Sequence, residues 1–132
     1  MKSITVSTRQ RAQLVDVTAE IQSFVRQSGI QTGCCVCYVP HTTAGVTIQE
    51  NADPDVVRDL LWKLEQLAPH GDPAYQHSEG NADAHIKASM MGSSVTILVE
   101  EGRLVLGTWQ GVYFCEFDGP RQRHMHLQVI SA

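Results

Sequence analysis

Apolar and polar residues alternate from the start of the chain. In "SITVST" Ile4 and Val6 share one face, and "AQLVDV" answers after the polar "RQR", which predicts a β-hairpin. The period then lengthens. Ile21, Phe24 and Val25 form a helical stripe, with Thr18 expected as N-cap, Glu20 in the first turn and Gly29 at the left-handed C-terminal position. "CCVCYV" and "AGVTIQ" read as two buried strands.

Asp53-Pro54 opens a second helix, with an acidic cap and a proline where no helical N–H is missed. Val56, Val57, Leu60, Leu61, Leu64 and Leu67 supply its apolar face, and "APHGDP" ends it. A third, shorter helix is expected from near Asp83 to Gly92. Beyond it the pattern is all strand: "SVTILV", a turn at "EEG", "RLVLG", "GVYFCEF", a turn at "DGP", and "RHMHLQVI". These runs predict a four-stranded meander, and an α+β fold of antiparallel β-sheets packed with about three helices. The edges of such a sheet need covering, which subunit association would do.

Composition narrows the class. The 132 residues make one domain, 1–132, with no linker or low-complexity tract, and 42% hydrophobic content is enough for a core. A net charge of −4 argues against a nucleic-acid partner. No run approaches the roughly 20 apolar residues of a membrane helix, and "MKSITVSTRQR" lacks a signal peptide's apolar core, so a cytoplasmic location is expected. Cys34, Cys35 and Cys37 lie in one strand-like run and Cys115 in another. They read as reduced, small apolar side chains, with Cys35 and Cys37 on the face opposite Cys34.

Six histidines are many for this length, and their positions carry the chemistry. His41 leaves a strand beside the hydroxyls of Thr42 and Thr43, with Glu50 nine residues on. His77 and His85 flank the third helix start, where free backbone N–H groups favour a neutral imidazole and can receive a phosphate. Three imidazoles and the Glu50 carboxylate could hold a zinc-like metal if the fold assembled them. His70 sits in a turn, while His124 and His126 share one face of the last strand. In "LGTWQGVYF", Gly107 and Gly111 mark either a bend plugged by Trp109 or close approach by a ligand. In "DGPRQRH", Asp118-Gly119-Pro120 is turn chemistry, and Arg121 and Arg123 make either a cationic fork suited to phosphate or a solvated turn.

The segments "HTTAGVTIQENAD", "HSEGNADAHIKASMMGSS" and "GRLVLGTWQGVYFCEFDGPRQR" together resemble the YjbQ family, also called UPF0047 or the secondary thiamine-phosphate synthase family. The likeness runs through nearly the whole chain in the family's order. It holds at His41, Glu50, His77, Asn81, Asp83, His85, Thr108, Gln110, Arg121 and Arg123. The resemblance implies sheets packed around a threefold axis in a homotrimer, with clefts between subunits. It implies weak thiamine-phosphate synthase activity, joining hydroxymethylpyrimidine diphosphate to thiazole phosphate with release of pyrophosphate. On that basis Glu50, Asp83, Arg121 and Arg123 are the expected catalytic residues. Thr42, Thr43, Asn81, Thr108 and Gln110 are expected to bind substrate, and His41, His77 and His85 a divalent metal ion, zinc-like or magnesium. Imidazoles suit zinc better than magnesium, which prefers oxygen ligands. A metal-dependent hydrolase and a non-catalytic binder of a small phosphorylated metabolite are the alternatives.

Overall fold

The computed structural model describes residues 1–132. Its elements run β1 (Lys2–Ser7), β2 (Gln13–Asp16), α1 (Thr18–Ser28), β3 (Gly33–Tyr38), β4 (Ala44–Glu50), α2 (Pro54–Leu67), α3 (Ala82–Met91), β5 (Ser94–Glu100), β6 (Arg103–Leu104), β7 (Gln110–Glu116) and β8 (Gln122–Ser131). The strands form two antiparallel sheets, ordered β1-β8-β3-β5-β6 and β2-β7-β4. The α+β class and its three helices are therefore as expected. No helix is long and apolar enough to cross a membrane.

Strand partnership is not as expected. β1 pairs with β8 and β2 with β7, so the first two strands are no hairpin. The C-terminal meander is likewise broken. β5 and β6 pair with each other, but β7 joins the smaller sheet and β8 lies between β1 and β3. Alternation identifies a strand and its buried face, whereas the partner depends on which face must meet which core. Val6 packs into the core between the sheets, while Leu14 turns to the opposite side of the small sheet.

Two apolar clusters explain the layering. The larger fills the space between the sheets and α1, with Ile21, Val25, Cys35, Cys37, Phe114, Met125 and Leu127 fully enclosed. The smaller joins Leu64 of α2 and Ala84 and Ala88 of α3 to Tyr113, Cys115 and Phe117. β7 is thus covered on both faces, which accounts for its nearly continuous apolar run. Cys35 and Cys37 face the core, Cys34 the other side, and all four cysteines are free.

Local chemistry sets the helix ends. Gly29 takes the left-handed conformation, φ 71°, and Asp53 caps α2 by accepting the Asp55 N–H at 2.9 Å. Thr18 is not the cap of α1. It is the first helical residue, and Asp16 Oδ1 accepts both its N–H (2.9 Å) and its hydroxyl (2.6 Å). The Thr18 Oγ1 then accepts the Val112 N–H at 2.8 Å, tying α1 to β7. α2 is the most loosely embedded helix: of its predicted stripe only Leu64 is fully buried, and Leu67 is exposed.

Gly45 fixes where α3 lies. Its missing side chain lets the end of α3 close on β4, where Val46 N–H donates to Gly92 O at 3.1 Å. A Cβ at Gly45 would stand 2.6 Å from Gly92 O and 3.1 Å from Met91 Cβ. Gly45→Ala should therefore destabilise the protein by about 1–3 kcal/mol, the usual scale of overpacking. Denaturant titration measures this, and an unchanged midpoint would contradict the account.

Candidate functional site

The loop leaving β3 carries His41, Thr42 and Thr43 back into β4, and α3 lies across it. Ser93 O accepts the Val39 N–H at 2.8 Å, anchoring the loop to the far end of α3. A polar cleft of about 380 Å³ opens here. Its walls are His41, Thr42 and Thr43 on one side and Asn81 and His85 from the start of α3 on another. Asp118, Arg121 and Arg123, from the turn into β8, close it, with Glu79 at the rim. The two ends of the sequence signature thus meet at one α-helical N-terminus.

His41 is held in one tautomer. Its Nε2 accepts the His124 backbone N–H at 3.0 Å, so the ring proton belongs on Nδ1. Burial, followed by the charges of Arg123 and His124, lowers its pKa, and the ring is neutral at pH 7. It offers a donor and has no free ring lone pair. The rings of His41 and His124 stack at 6.4 Å, while His77 meets His85 edge-on at 5.2 Å. His77 lies outside the cleft lining, 3.8 Å from Glu79.

The three-imidazole metal centre predicted from His41, His77 and His85 is therefore not formed within the chain. No group of three or more His, Cys, Asp or Glu is arranged to hold a metal ion. The reason for His41 is its commitment to His124. Glu50 is remote because β4 runs extended from Ala44 to Glu50, about 20 Å of strand at roughly 3.3 Å per residue. It pairs with Gln110 at the opposite end of the small sheet, near Thr108. Glu50, Thr108 and Gln110 thus sit in a second polar corner, apart from the cleft.

The glycines there answer to packing. A Cβ at Gly111 would stand 2.6 Å from Asn51 Nδ2, so it is the Asn51 side chain that approaches this strand. Gln110 Oε1 accepts the Gly107 N–H at 2.8 Å, closing the preceding turn. Trp109 plugs nothing; it is 61% exposed.

Arg121 and Arg123 both line the cleft but differ in state. Arg123 is buried and forms an ion pair with the fully enclosed Glu116, and its Nη2 also donates to Thr43 Oγ1 at 2.8 Å. Thr43 is spent on that contact, whereas Thr42 is exposed. Arg121 is half-exposed. Its Nε and Nη2 bond Asp118 O and Oδ2, both at 3.0 Å, leaving Nη1 without a protein acceptor. Of the predicted fork, one arm is structural and the other faces the cleft.

Asn81 stands at the N-cap position of α3 without a side-chain capping bond. The Asn81 Nδ2 donates to Asp118 Oδ2 at 2.8 Å, and its buried Oδ1 has no partner. Asp83 lies beneath the helix, 1% exposed, and is not part of the cleft lining. Its carboxylate meets His70 Nδ1 at 3.0 Å, Arg11 Nη2 at 3.3 Å and Lys87 Nζ at 3.1 Å. Lys87 continues to Glu65 at 2.7 Å. Asp83 therefore anchors α3 instead of facing a substrate. Burial raises its carboxyl pKa, but His70, Lys87 and Arg11 outweigh that and hold it below its ordinary value.

Sequence patterning passes over Glu116 and reads Asp118 as turn chemistry alone. Glu116 had a signal: a carboxylate inside the buried run "GVYFCEF" needs a partner. Asp118 accepts from Arg11 Nη1 (3.1 Å), Asn81 and Arg121, and so joins the helix start to the arginine turn.

Burial raises the Glu116 carboxyl, but Arg123, the Asp118 N–H and Thr8 together bring it below its ordinary 4.5. Its depressed pKa stabilises the fold fully above that pH, and the contribution is lost as pH falls through the lower, folded value. Glu116→Ala, which strands Arg123, should cost about 3–5 kcal/mol at neutral pH and flatten the acid limb of the stability profile. Denaturant midpoints measured from pH 7 down to acid check both, and an acid limb unaltered in the variant contradicts the assignment.

The chain matches the family model described as "UPF0047 protein YjbQ-like" over residues 2–132. It is 46% identical over 131 residues to the UPF0047 protein YugU of Bacillus subtilis, covering 99% of each chain. It is 49% identical over 126 residues to a UPF0047 protein of Methanocaldococcus jannaschii, covering 96% of this chain and 91% of that one. A crystal structure of an uncharacterized YjbQ/UPF0047 family protein from Clostridium acetobutylicum superposes with a TM-score of 0.96 at 49% identity, covering 98% of this chain and 100% of the other. A YbjQ-like protein of unknown function from Sulfolobus solfataricus gives 0.94 at 34% identity, covering 99% and 96%. Nearly the whole length of sequence and the fold are shared with these proteins, and the chain belongs to the YjbQ-like UPF0047 family.

Proposed function

We propose that the cleft binds the phosphate of a small phosphorylated metabolite. The observation that carries this is that Arg121, His41 and Thr42 line one cleft beside the N-terminus of α3, with Arg121 Nη1 and the His41 Nδ1–H left without a protein acceptor. Charge-assisted donors beside a helix N-terminus favour an anion. Asp118 does not spoil this, because Arg11, Asn81 and Arg121 already occupy its oxygens.

The family resemblance supplies the finer reading. The reaction joins hydroxymethylpyrimidine diphosphate to thiazole phosphate, and Arg121 stabilises the charge that grows on the departing pyrophosphate. Within one chain the imidazoles form no metal centre, so no step is assigned to one. Magnesium, where required, enters with the diphosphate as part of the substrate. The same lack of a free His41 lone pair favours simple binding over metal-dependent hydrolysis as the second reading.

A homotrimer is the assembly proposed. The outer face of the larger sheet supports self-association: Leu98 and Ile130, both exposed, flank Cys34 from the strands on either side. An apolar patch across three adjacent strands is a natural contact surface. Static light scattering should return three times the 14.6 kDa chain mass, and a stable monomer at micromolar concentration overturns the assembly.

Thiamine phosphate formation from the two precursors, with and without magnesium, tests the chemistry. Arg121→Ala should lower turnover about 10–100-fold, the scale of one hydrogen bond to a charged group. Inorganic phosphate should raise the melting temperature of the wild type and less so that of the variant. A rise in melting temperature without turnover selects the binder. Absence of both effects overturns the phosphate reading.

A further inference from the structure

The larger sheet is left open along β1. Its opposite edge ends in the two-residue β6, whereas β1 runs six residues without a proline or a bulge. Edges of that length are normally blunted or covered. The register shows which groups this one presents. Thr8 N–H donates to Arg121 O at 2.9 Å, one step beyond the Ser7–Gln122 pair. Alternation along an antiparallel ladder then turns the N–H and C=O of Lys2, Ile4 and Val6 toward β8, and those of Ser3, Thr5 and Ser7 outward. No group of the chain pairs with the outward set.

Beneath this edge the core is unsealed. A hollow of about 430 Å³ separates β1 from α1, lined by Ile4, Ala19, Ser23 and Phe24 among others. A smaller one of about 160 Å³ continues it along residues 4–7 to Val15 and Val17. Ile4, Val15 and Phe24 pack against the main cluster yet are only partly buried. Ala19 and Ser23, small residues one turn apart on α1, keep the groove open. Lys2 and Glu20 also line it, and neither is in an ion pair. None of these residues lines the cleft of Arg121 and His41.

We infer that this groove docks an extended segment of a partner protein, which joins the larger sheet as a strand beside β1. Unpaired N–H and C=O groups at alternate residues form a template that an extended backbone matches. Alternate side chains of such a strand point inward, so the segment carries apolar residues over Ile4, Val15 and Phe24. The unpaired charges call for an acidic side chain beside Lys2 and a basic one beside Glu20. Pairing β1 with the β1 of a second copy would leave the hollows empty, since the inward Ile4 and Val6 of that copy pack against their own core. The patch of Cys34, Leu98 and Ile130 lies on β3, β5 and β8 and does not include β1.

Hydrogen exchange of the full chain, followed amide by amide, tests this with a capped peptide of about six residues that alternates valine and threonine between a glutamate and a lysine. In the free protein the Ser3, Thr5 and Ser7 amides should exchange fast, and those of Ile4 and Val6 slowly. Saturating peptide should slow the outward set about tenfold. Thr5→Pro removes an outward N–H while leaving the β8 ladder intact. It should weaken peptide binding about tenfold, the scale of one lost hydrogen bond. Ser23→Trp, which fills the hollow without touching β1, should do the same. Glu20→Lys should lower affinity for this peptide and restore it for one with glutamate in place of the lysine. No protection of the outward amides, or unchanged binding in any of the three variants, overturns the proposal. Light scattering reads the other occupant: an assembly mass that falls in Thr5→Pro assigns the edge to a second copy and overturns it as well.

Discussion

The ion pair of Glu116 and Arg123 holds the cleft end of the molecule together. Glu116 ends β7 in the small sheet, and Arg123 begins β8 in the large one. Thr8, just after β1, donates to Glu116 Oε1 at 2.8 Å, and Thr43, just before β4, accepts from Arg123. Segments next to four strands from both sheets therefore meet on one pair of charges. Burying two ions costs several kcal/mol each unless every lone pair and proton is used. Here the carboxylate also accepts the N–H groups of Phe117 and Asp118, and the guanidinium reaches Thr43 O as well. So complete a set of partners tolerates little movement, and the walls of the cleft inherit that rigidity.

From this pair the construction runs outward by single contacts. The Asp118 N–H on Glu116 places a carboxylate that in turn positions Arg121 and Asn81. Arg11 bridges Asp118 to Asp83, and Asp83 with Lys87 pins the underside of α3. The helix that carries Asn81 and His85 is thus oriented from below by charge and from its far end by the Gly45 contact with Gly92. Several of the acidic and basic groups that resemble catalytic residues in the sequence are spent on this scaffold. What remains open to solvent chemistry is small: Arg121 Nη1, the donors of His41 and Thr42, and His85.

Elements were legible where local chemistry decides them. The stripe around Ile21 and Val25, the Asp53-Pro54 start and the left-handed Gly29 each follow from nearest neighbours along the chain, and each is present. Strand partners were not legible, since Ile4, Val6 and Leu14 alternate in the same way whichever sheet receives them. The same limit applies to the site. His41, Asn81, His85 and Arg121 do gather at one cleft, but Glu50, Thr108 and Gln110 are carried away by the length of β4. Asp83 shows a further ambiguity. A carboxylate two residues into a helix reads equally as a cap, a ligand or an anchor, and only Arg11 and Lys87, distant in sequence or one turn on, decide among them.

The distribution of free hydrogen-bonding groups then constrains chemistry more tightly than residue identity does. A histidine is a metal ligand, a base or a donor according to which ring nitrogen is already taken. In His41 the backbone of His124 takes Nε2, so a residue that looks like a ligand in the sequence becomes a neutral donor. Asn81 is the converse, an amide whose donor is consumed and whose acceptor is left over. What the cleft leaves open is therefore a neutral imidazole donor and a half-used guanidinium, while the Asn81 acceptor is sealed within its wall. Both donors are set in place from the same β7–β8 charge pair that joins the sheets, Arg121 through Asp118 and His41 through the start of β8.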